Sequence, residues 1–333
     1  MKKHLILLTL VLSIFSCTQG EKPTIAFYYW KTVFKLSQLE KEILDDNAVK
    51  KIYLRYFDID LDSKNQPFPV SPIRFETKST DFSIVPVIYI KNKVMLNKEL
   101  DVEFLAEKTF DFIQQINAAN EIQIHEVQID CDWTLSSRDT YLKFIESFKK
   151  ISGKTLSATI RLHQIKYYKK TKIPNVDKGV LMYYNMGSIA ADSLNSIYDS
   201  KIATKYLESL KNYPLELEVA LPIYSWAVHF RESRVIGLRN KIDIAGFKKD
   251  SNFVFENKYY LKVKHSNYKR GTFYKVNDVL KIEAISQKEL LEMADDLNEN
   301  LKLTPKEIIF YDLDEFNIKN YEKNIFKQVI ARF

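Results

Sequence analysis

Residues 125–134 read HEVQIDCDWT, and this stretch decides the fold. Side chains alternate between the two faces of a β-strand, so Gln128, Asp130 and Asp132 share one face. The apolar residues between them are suited to packing against helices. Two carboxylates on an inward face are costly to bury unless they are paired or hydrogen-bonded. The stretch is therefore interpreted as a strand whose polar face enters a closed barrel and rises towards its mouth, rather than as an ordinary strand end.

Seven other runs share the near-continuous apolar character expected of parallel strands that are buried on both faces. They lie at 24–29, 51–57, 83–90, 156–163, 179–185, 217–224 and 307–314. Helical patterns separate most of them, including those at 193–213 and 317–330, and Asp101 and Ser286 are predicted N-caps. Eight strands with helical crossovers predict a (β/α)8 TIM barrel in the α/β class. An open doubly wound sheet is the alternative, but no Gly-rich phosphate loop follows the first strand.

One segment interrupts the alternation of strands and helices. Residues 231–284 follow the seventh strand, are too long for a loop, and contain several β-type runs. They predict a small β-rich insertion subdomain beside the mouth. The barrel itself is then assigned to residues 24–230 and 285–333.

The N-terminus predicts export. Residues 1–17 combine two lysines, a short apolar run and a final cysteine, and they resemble a bacterial lipoprotein signal. That resemblance implies that Cys17 is lipidated, that residues 18–23 are a linker, and that the membrane is a partner. The expected location is the cell envelope, with the outer membrane favoured. The alternative is a signal peptide that is cleaved near Gly20, with Cys17 discarded.

Charge and cysteine content limit the partners and cofactors that this protein is expected to bind. The formal net charge is +7, and the lysines are accompanied by many Asp and Glu residues, which favours a solvated surface over a nucleic-acid interface. Only two cysteines are present. With Cys17 lipidated, Cys131 has no disulfide partner, and cysteine cannot build a zinc cluster. We expect neither a metal nor a cofactor.

Other predicted strand ends bring aromatic and charged residues to the same rim. On the fifth strand, Arg161 is placed to pair with Asp130, either as a structural ion pair or with a direct role. The remaining candidates are Trp30, His163, Tyr184, Tyr224, Trp226, Asp312, Asp314 and Glu315. Aromatic rings stack on the apolar faces of sugars, and carboxylates accept hydrogen bonds from their hydroxyls. A glycan or oligosaccharide is therefore the expected ligand.

The fourth strand resembles the D-x-x-D-x-D-x-E motif of glycoside hydrolase family 18, the chitinase-like barrels. LMYYNMG in the sixth strand and ALPIYSW in the seventh are similar to strands of the same family. Val127 stands at the first Asp of the motif, whereas Asp130 and Asp132 match the two central ones. Thr134 stands at the catalytic Glu, and a threonine cannot protonate a leaving oxygen. The resemblance implies the fold and a sugar-binding mouth, without the family's chemistry. An uncharacterised family of exported proteins with the same barrel is the nearer match.

Three functions follow as hypotheses. The first is a glycan-binding barrel that also hydrolyses, with Asp132 as proton donor, Asp130 beside it, and Asp312, Asp314 or Glu315 as partner. Gln128, Arg161 and His163, with the aromatic residues at the rim, would bind the substrate. The second is a non-catalytic carbohydrate-binding or scaffold lipoprotein. The third is a metal-assisted hydrolase of another bond that uses Asp130, Asp132, His163 and Asp312 as ligands.

Overall fold

The structure is a computed structural model that describes residues 22–77 and 82–333. The predicted signal and Cys17, and most of the predicted linker 18–23, lie outside the described residues. Among the residues described, no helix is both long enough and apolar enough to span a bilayer.

Eight parallel strands close into a barrel, which confirms the predicted fold class. Each barrel strand pairs with the next, and the first pairs with both the second and the eighth. In chain order they span Thr24–Tyr29, Lys51–Leu61, Ser83–Ile90, Glu126–Asp130, Thr155–Arg161, Lys178–Met182, Leu217–Pro222 and Glu307–Tyr311. They are referred to below as the first to the eighth barrel strands. Their β-branched and aromatic side chains are buried on both faces, because helices cover the outside and side chains fill the inside.

Helices follow most of the strands on the outside of the barrel. The longer ones are Gln38–Asp46, Val102–Ala119, Arg138–Ser152, Ser200–Leu210 and Gln287–Asn300. Short ones are Asn92–Met95, Leu162–Lys166, Tyr168–Thr171, Ile244–Lys248, Glu315–Ile318 and Ile325–Ile330. The predicted N-caps are confirmed, since the side chain of Asp101 accepts a hydrogen bond from Phe104 N and that of Ser286 accepts one from Glu289 N.

Two predicted helices differ from the structure. The pattern at 317–330 predicts one helix, but the chain forms two short ones separated by an irregular segment with Asn320 and Asn324 at its ends. Asparagine competes with the helical backbone for hydrogen bonds and favours such breaks. The pattern at 193–213 also extends too far, because the helix begins only at Ser200.

The segment after the seventh barrel strand forms a separate five-stranded antiparallel sheet. Its strands, in spatial order, are Arg234–Asn240, Ser225–Arg231, Val279–Ala284, Tyr260–Val263 and Phe253–Phe255. A small hairpin, Asn267–Lys269 with Thr272–Tyr274, lies beside them, and Gly271 supplies the positive φ that its turn requires. The sheet starts at Ser225, only two residues after the end of the seventh barrel strand, and therefore begins at the barrel mouth.

Three further short strands border the barrel. Pro67–Val70 pairs antiparallel with the end of the second barrel strand, and Val33–Phe34 pairs in parallel with Arg74–Phe75.

Candidate functional site

A cavity of about 550 Å³ opens at the C-terminal ends of the barrel strands. This is the end at which loops of a TIM barrel build their sites. The fourth, fifth, sixth and eighth strands, the residues that directly follow the first strand, and the antiparallel sheet all contribute side chains to it. Its charged and aromatic lining residues are Trp30, Lys31, Asp130, Arg161, Tyr184, Tyr224, Trp226, Lys241, Tyr311 and Asp312. We call it the mouth cavity.

Five aromatic rings form a continuous wall of the mouth cavity. Tyr184 stacks on Tyr311 with ring centroids 5.7 Å apart, and Tyr224 meets the edge of Tyr311 at 5.7 Å. Trp226 continues the wall from Tyr224 at 5.3 Å, and Trp30 continues it from Tyr311 at 5.5 Å. The rings hold one another in place, so the wall is formed before any ligand arrives.

Asp130 lies in the cavity wall and is held by two neighbours on the fifth strand. The hydroxyl of Thr159 donates a hydrogen bond to Asp130 Oδ1 at 2.6 Å, and Arg161 Nη2 is 3.7 Å from the same oxygen. Arg161 Nε also donates to Asp132, so one guanidinium bridges both carboxylates. Burial raises the pKa of Asp130, whereas the positive charge of Arg161 opposes the rise. The predicted pairing of Arg161 with Asp130 is therefore present in the structure.

Asp312 brings a second carboxyl to the cavity. The side-chain amide of Asn317 donates a hydrogen bond to Asp312 Oδ1 at 2.5 Å. Burial and the negative charge of Asp314 raise the pKa of Asp312 to about 6, although Lys241 and Lys31 pull it down. Asp312 therefore exchanges a proton near neutral pH, which suits a general acid or base.

Asp314 is turned away from the cavity and organises its basic side. It caps helix Glu315–Ile318 and accepts from Lys241 Nζ at 2.6 Å, while Lys31 Nζ lies 3.3 Å away. These contacts hold the pKa of Asp314 below its ordinary value against the effect of burial. Both lysines also line the mouth cavity, so Asp314 positions two cations there.

Trp226 is anchored by the antiparallel sheet. Its indole N–H donates to Glu283 Oε2 at 2.7 Å, and Ser196 donates to the same oxygen. The other oxygen of Glu283 is 2.7 Å from Lys281 Nζ. Lys281 also donates to the backbone carbonyls of Ala190, Asp192 and Leu194. One buried lysine thus joins the loop after the sixth strand to the sheet that carries Trp226.

Several residues predicted for the site do not line the mouth cavity. Gln128 is fully buried inside the barrel, where it accepts from Tyr28 at 2.6 Å and donates to Ser157. Asp132 follows the fourth strand instead of ending it, and its side chain is 50% exposed. His163 lies in helix Leu162–Lys166, because the fifth strand ends at Arg161. Glu315 is exposed on its short helix.

The position that the resemblance assigns to a catalytic Glu also lies outside the cavity. Thr134 is exposed, and its backbone N–H donates to Ser137 Oγ at 2.9 Å. It borders a different depression of about 420 Å³, together with His163 and Tyr167. A third and larger cavity, of about 940 Å³, lies between the antiparallel sheet and the start of helix Gln287–Asn300, away from the paired carboxylates.

Several residues of the cavity lining were missed by the sequence-based prediction, among them Tyr311, Asn185, Lys31 and Lys241. Tyr311 was an available choice, because it is the last inward-facing residue of the eighth strand. Asn185, which accepts from Tyr224 Oη at 2.5 Å, directly follows Tyr184 and was also within reach. No sequence pattern identifies Lys31 and Lys241 as site residues, because only tertiary packing brings them to the mouth.

A metal-assisted hydrolase, the third hypothesis, requires several ligand side chains that converge on one point. Among residues 22–77 and 82–333, no three His, Cys, Asp or Glu side chains are grouped closely enough to hold a metal ion. His163 in particular has left the strand on which its alternation with Arg161 was based, which removes the nitrogen ligand.

Comparison with solved structures identifies barrels of the same architecture. A chitinase from Bacteroides thetaiotaomicron superposes with a TM-score of 0.59 at 11% identity, over 94% of this chain and 97% of that one. A chitinase from Chromobacterium violaceum gives 0.53 at 10% identity, over 93% and 99%. A mutant plant class V chitinase from Cycas revoluta, solved in complex with (GlcNAc)3, gives 0.51 at 12% identity, over 93% and 99%.

The chain has the fold of these chitinases. At such low identity the likeness extends to the fold and not to the chemistry. No protein-family model matches the sequence, and no curated protein matches it. The resemblance drawn from the fourth, sixth and seventh strands is thus supported at the level of the closed eight-stranded barrel.

Proposed function

We propose that this protein binds a glycan in the mouth cavity. The observation that carries the proposal is the wall of five mutually packed aromatic rings beside Asp130, Asp312 and Arg161. Sugars combine apolar faces with hydroxyl groups, and this wall offers rings for the former and charged acceptors and donors for the latter. A structure of the same fold that holds (GlcNAc)3 supports the choice of ligand class.

Titration of the protein with a panel of oligosaccharides tests this proposal. Trp226→Ala removes a ring at the end of the wall and is expected to weaken binding about tenfold or more, since aromatic contacts of this kind contribute ~1.5 kcal/mol. Phe104→Ala, which removes an exposed ring from the outer helix Val102–Ala119, is the matched control and should bind like the wild type. Equal loss in both variants, or no binding of any glycan by the wild type, would contradict the proposal.

Hydrolysis is the second candidate, and the raised pKa of Asp312 favours it. Asp312 would protonate the glycosidic oxygen, with Asp130 as the second carboxyl in the same cavity. This changes the role expected for Asp132, whose carboxylate is bound to Arg161 and faces solvent. Asp132 does not line the mouth cavity, so it is not placed to protonate a glycan that binds there.

Product analysis by mass spectrometry separates binding from hydrolysis. If Asp312 is the acid, Asp312→Asn should stop product formation but retain glycan affinity, whereas Asp132→Asn should leave turnover within a few-fold of the wild type. If the wild type binds a glycan but releases no product on long incubation, the protein is a binding module.

Anchoring to the cell envelope belongs to the same proposal. A lipid on Cys17 would tether the barrel to a membrane, with the outer membrane as the expected location. Support comes from the sequence of residues 1–17 alone.

A further inference from the structure

The segment 231–284 accounts for the whole net charge of the chain. It contains thirteen Lys and Arg residues against six Asp and Glu, a difference of +7. The formal net charge of the complete sequence is also +7, so the remaining residues are balanced. The positive charge is therefore concentrated in the antiparallel sheet and its loops, and not scattered as the overall composition suggests.

This charged sheet reaches the mouth cavity through one hairpin. Trp226 and Asn240 are opposite each other at the open end of the hairpin 225–240, and both line the cavity. Lys241 follows immediately and contributes its amino group. The turn at the other end of the hairpin, at 232–233, is about 20 Å away, because each strand residue advances about 3.3 Å.

Aromatic and basic side chains, like those that line the mouth cavity, also lie at the far end of the hairpin. Tyr268 and Phe273 pair across the small neighbouring hairpin with ring centroids 5.0 Å apart, and they are 80% and 40% exposed. The guanidinium of Arg231 lies over the Phe273 ring at 5.9 Å, which links the two hairpins. The two rings form an exposed aromatic pair on which the apolar face of a sugar can stack.

Three cations also line the mouth cavity, and the two lysines among them are paired with Asp314. Lys31, Lys241 and Arg161 face Asp130 and Asp312 in its lining. A ligand that enters along the hairpin therefore meets positive charge from the tip to the cavity.

We propose that the glycan is acidic: a polymer with carboxylate or sulfate groups that extends from the mouth cavity along the hairpin 225–240 to the Tyr268–Phe273 pair. The inference rests on the proposed glycan-binding function and specifies its substrate class. A neutral sugar would gain nothing from the concentrated charge, whereas an acidic polymer gains attraction along its whole length and stacking at both ends.

Affinity measurements on the full-length protein test the inference with pairs of glycans, each of which has one acidic and one neutral member. Hyaluronan oligosaccharides and dextran sulfate are compared with neutral chitin oligosaccharides and dextran. We expect the acidic member of each pair to bind about tenfold tighter, with a preference that shrinks when salt rises from about 50 mM to about 500 mM. Tighter binding of the neutral members would overturn the inference and leave the proposed function intact. Absence of binding to all four would overturn both.

Variants locate the contact. Arg234→Gln, at the far end of the hairpin, should weaken hyaluronan binding about threefold, as expected for a single screened charge, and leave chitin-oligosaccharide binding unchanged. Tyr268→Ala should weaken hyaluronan binding by a similar factor. Lys306→Gln is the control, because this exposed lysine precedes the eighth strand at the opposite end of the barrel. Equal effects of Lys306→Gln and Arg234→Gln would contradict a localised path.

Other polyanions complete the test. A single-stranded oligodeoxynucleotide and vesicles of phosphatidylcholine with phosphatidylglycerol present negative charge without a sugar polymer that fits the cavity. Both should bind more weakly than hyaluronan at equal salt. If either binds as tightly, the surface recognises charge of another class and the inference fails.

Discussion

The carboxyl of Asp312 is subject to opposing influences that make the stability of the protein depend on pH. Burial and Asp314 raise its pKa to about 6, from an ordinary value of 3.8. Ionisation of Asp312 is therefore harder in the folded protein than in the unfolded chain. This cost is absent below about pH 4 and grows between about pH 4 and pH 6, where the unfolded chain ionises while the folded protein keeps its proton. Above about pH 6 the carboxyl is ionised in both states and the cost stays constant.

Asp312→Asn replaces the carboxyl with a neutral group of the same shape. We expect the free energy of unfolding at pH 7.5 to increase by about 1–3 kcal/mol, and the gain to vanish near pH 4. Urea denaturation at a series of pH values measures it. Asp139→Asn, at an exposed carboxylate paired with Arg138, should show no gain at any pH. A pH-independent effect of Asp312→Asn would show that packing, and not ionisation, is responsible.

Individual site residues were predictable where they lie inside a regular strand. Alternation along the fourth strand identified Asp130, and alternation along the fifth identified Arg161, and the two side chains are in contact. The rule failed two residues later in each strand, at Asp132 and His163, because the chain had already left the strand. Period-2 reasoning is valid only while the backbone remains extended.

At the scale of elements, Lys281 is the connection between the antiparallel sheet and the barrel. Its side chain is 3% exposed and donates to three backbone carbonyls in the loop after the sixth strand. It also pairs with Glu283, which holds the Trp226 indole. One ammonium group thus contacts the loop, the sheet and, through Glu283, one end of the aromatic wall, beside the hydrogen bonds from Asn195 to Ala284 O and from Ser196 to Glu283.

Lys281→Met keeps the length of the side chain but removes its charge. Three carbonyls and the buried Glu283 would lose their partner, so we expect a loss of about 3 kcal/mol in stability. Amide hydrogen exchange should accelerate in residues 188–196 and remain slow in the barrel strands. Glycan affinity should fall as Trp226 loses its anchor.

Lys262→Met is the matched control, because Lys262 belongs to the same sheet and has no ion pair among the described residues. It should alter neither exchange nor affinity. Unchanged exchange at 188–196 in Lys281→Met would mean that the loop is held by other contacts.

The barrel strands were more predictable than the connections between distant elements. Near-continuous apolar runs located all eight barrel strands, because a strand that is buried on both faces needs apolar residues at nearly every position. The pairing of Ser225–Arg231 with Val279–Ala284 joins segments that are about fifty residues apart, and no local pattern records it. The contact between Lys281 and the loop after the sixth strand also joins distant segments, so no local pattern predicts it.

At the scale of the whole molecule, the direction of the strands separates the mouth from the N-terminus. All barrel strands are parallel, so the first strand begins at Thr24 on the face opposite the mouth. A lipid on Cys17 would be joined to that face by the six residues 18–23, which span at most about 20 Å. Anchoring there would hold the barrel close to the membrane and turn the mouth away from it.

Cys17→Ser tests the anchor in the full-length protein. We expect the wild type to fractionate with membranes and to take up a radiolabelled or alkyne-tagged fatty acid, because two acyl chains suffice for stable attachment. Cys17→Ser should lose the label and, if it is still exported, appear in the soluble fraction. Cys131→Ala changes the other cysteine, which is buried in the barrel, and should retain both label and membrane association. Label retained in Cys17→Ser would contradict lipidation at this residue. Since the barrel is not altered, glycan affinity should be the same in Cys17→Ser and wild type, which separates attachment from recognition.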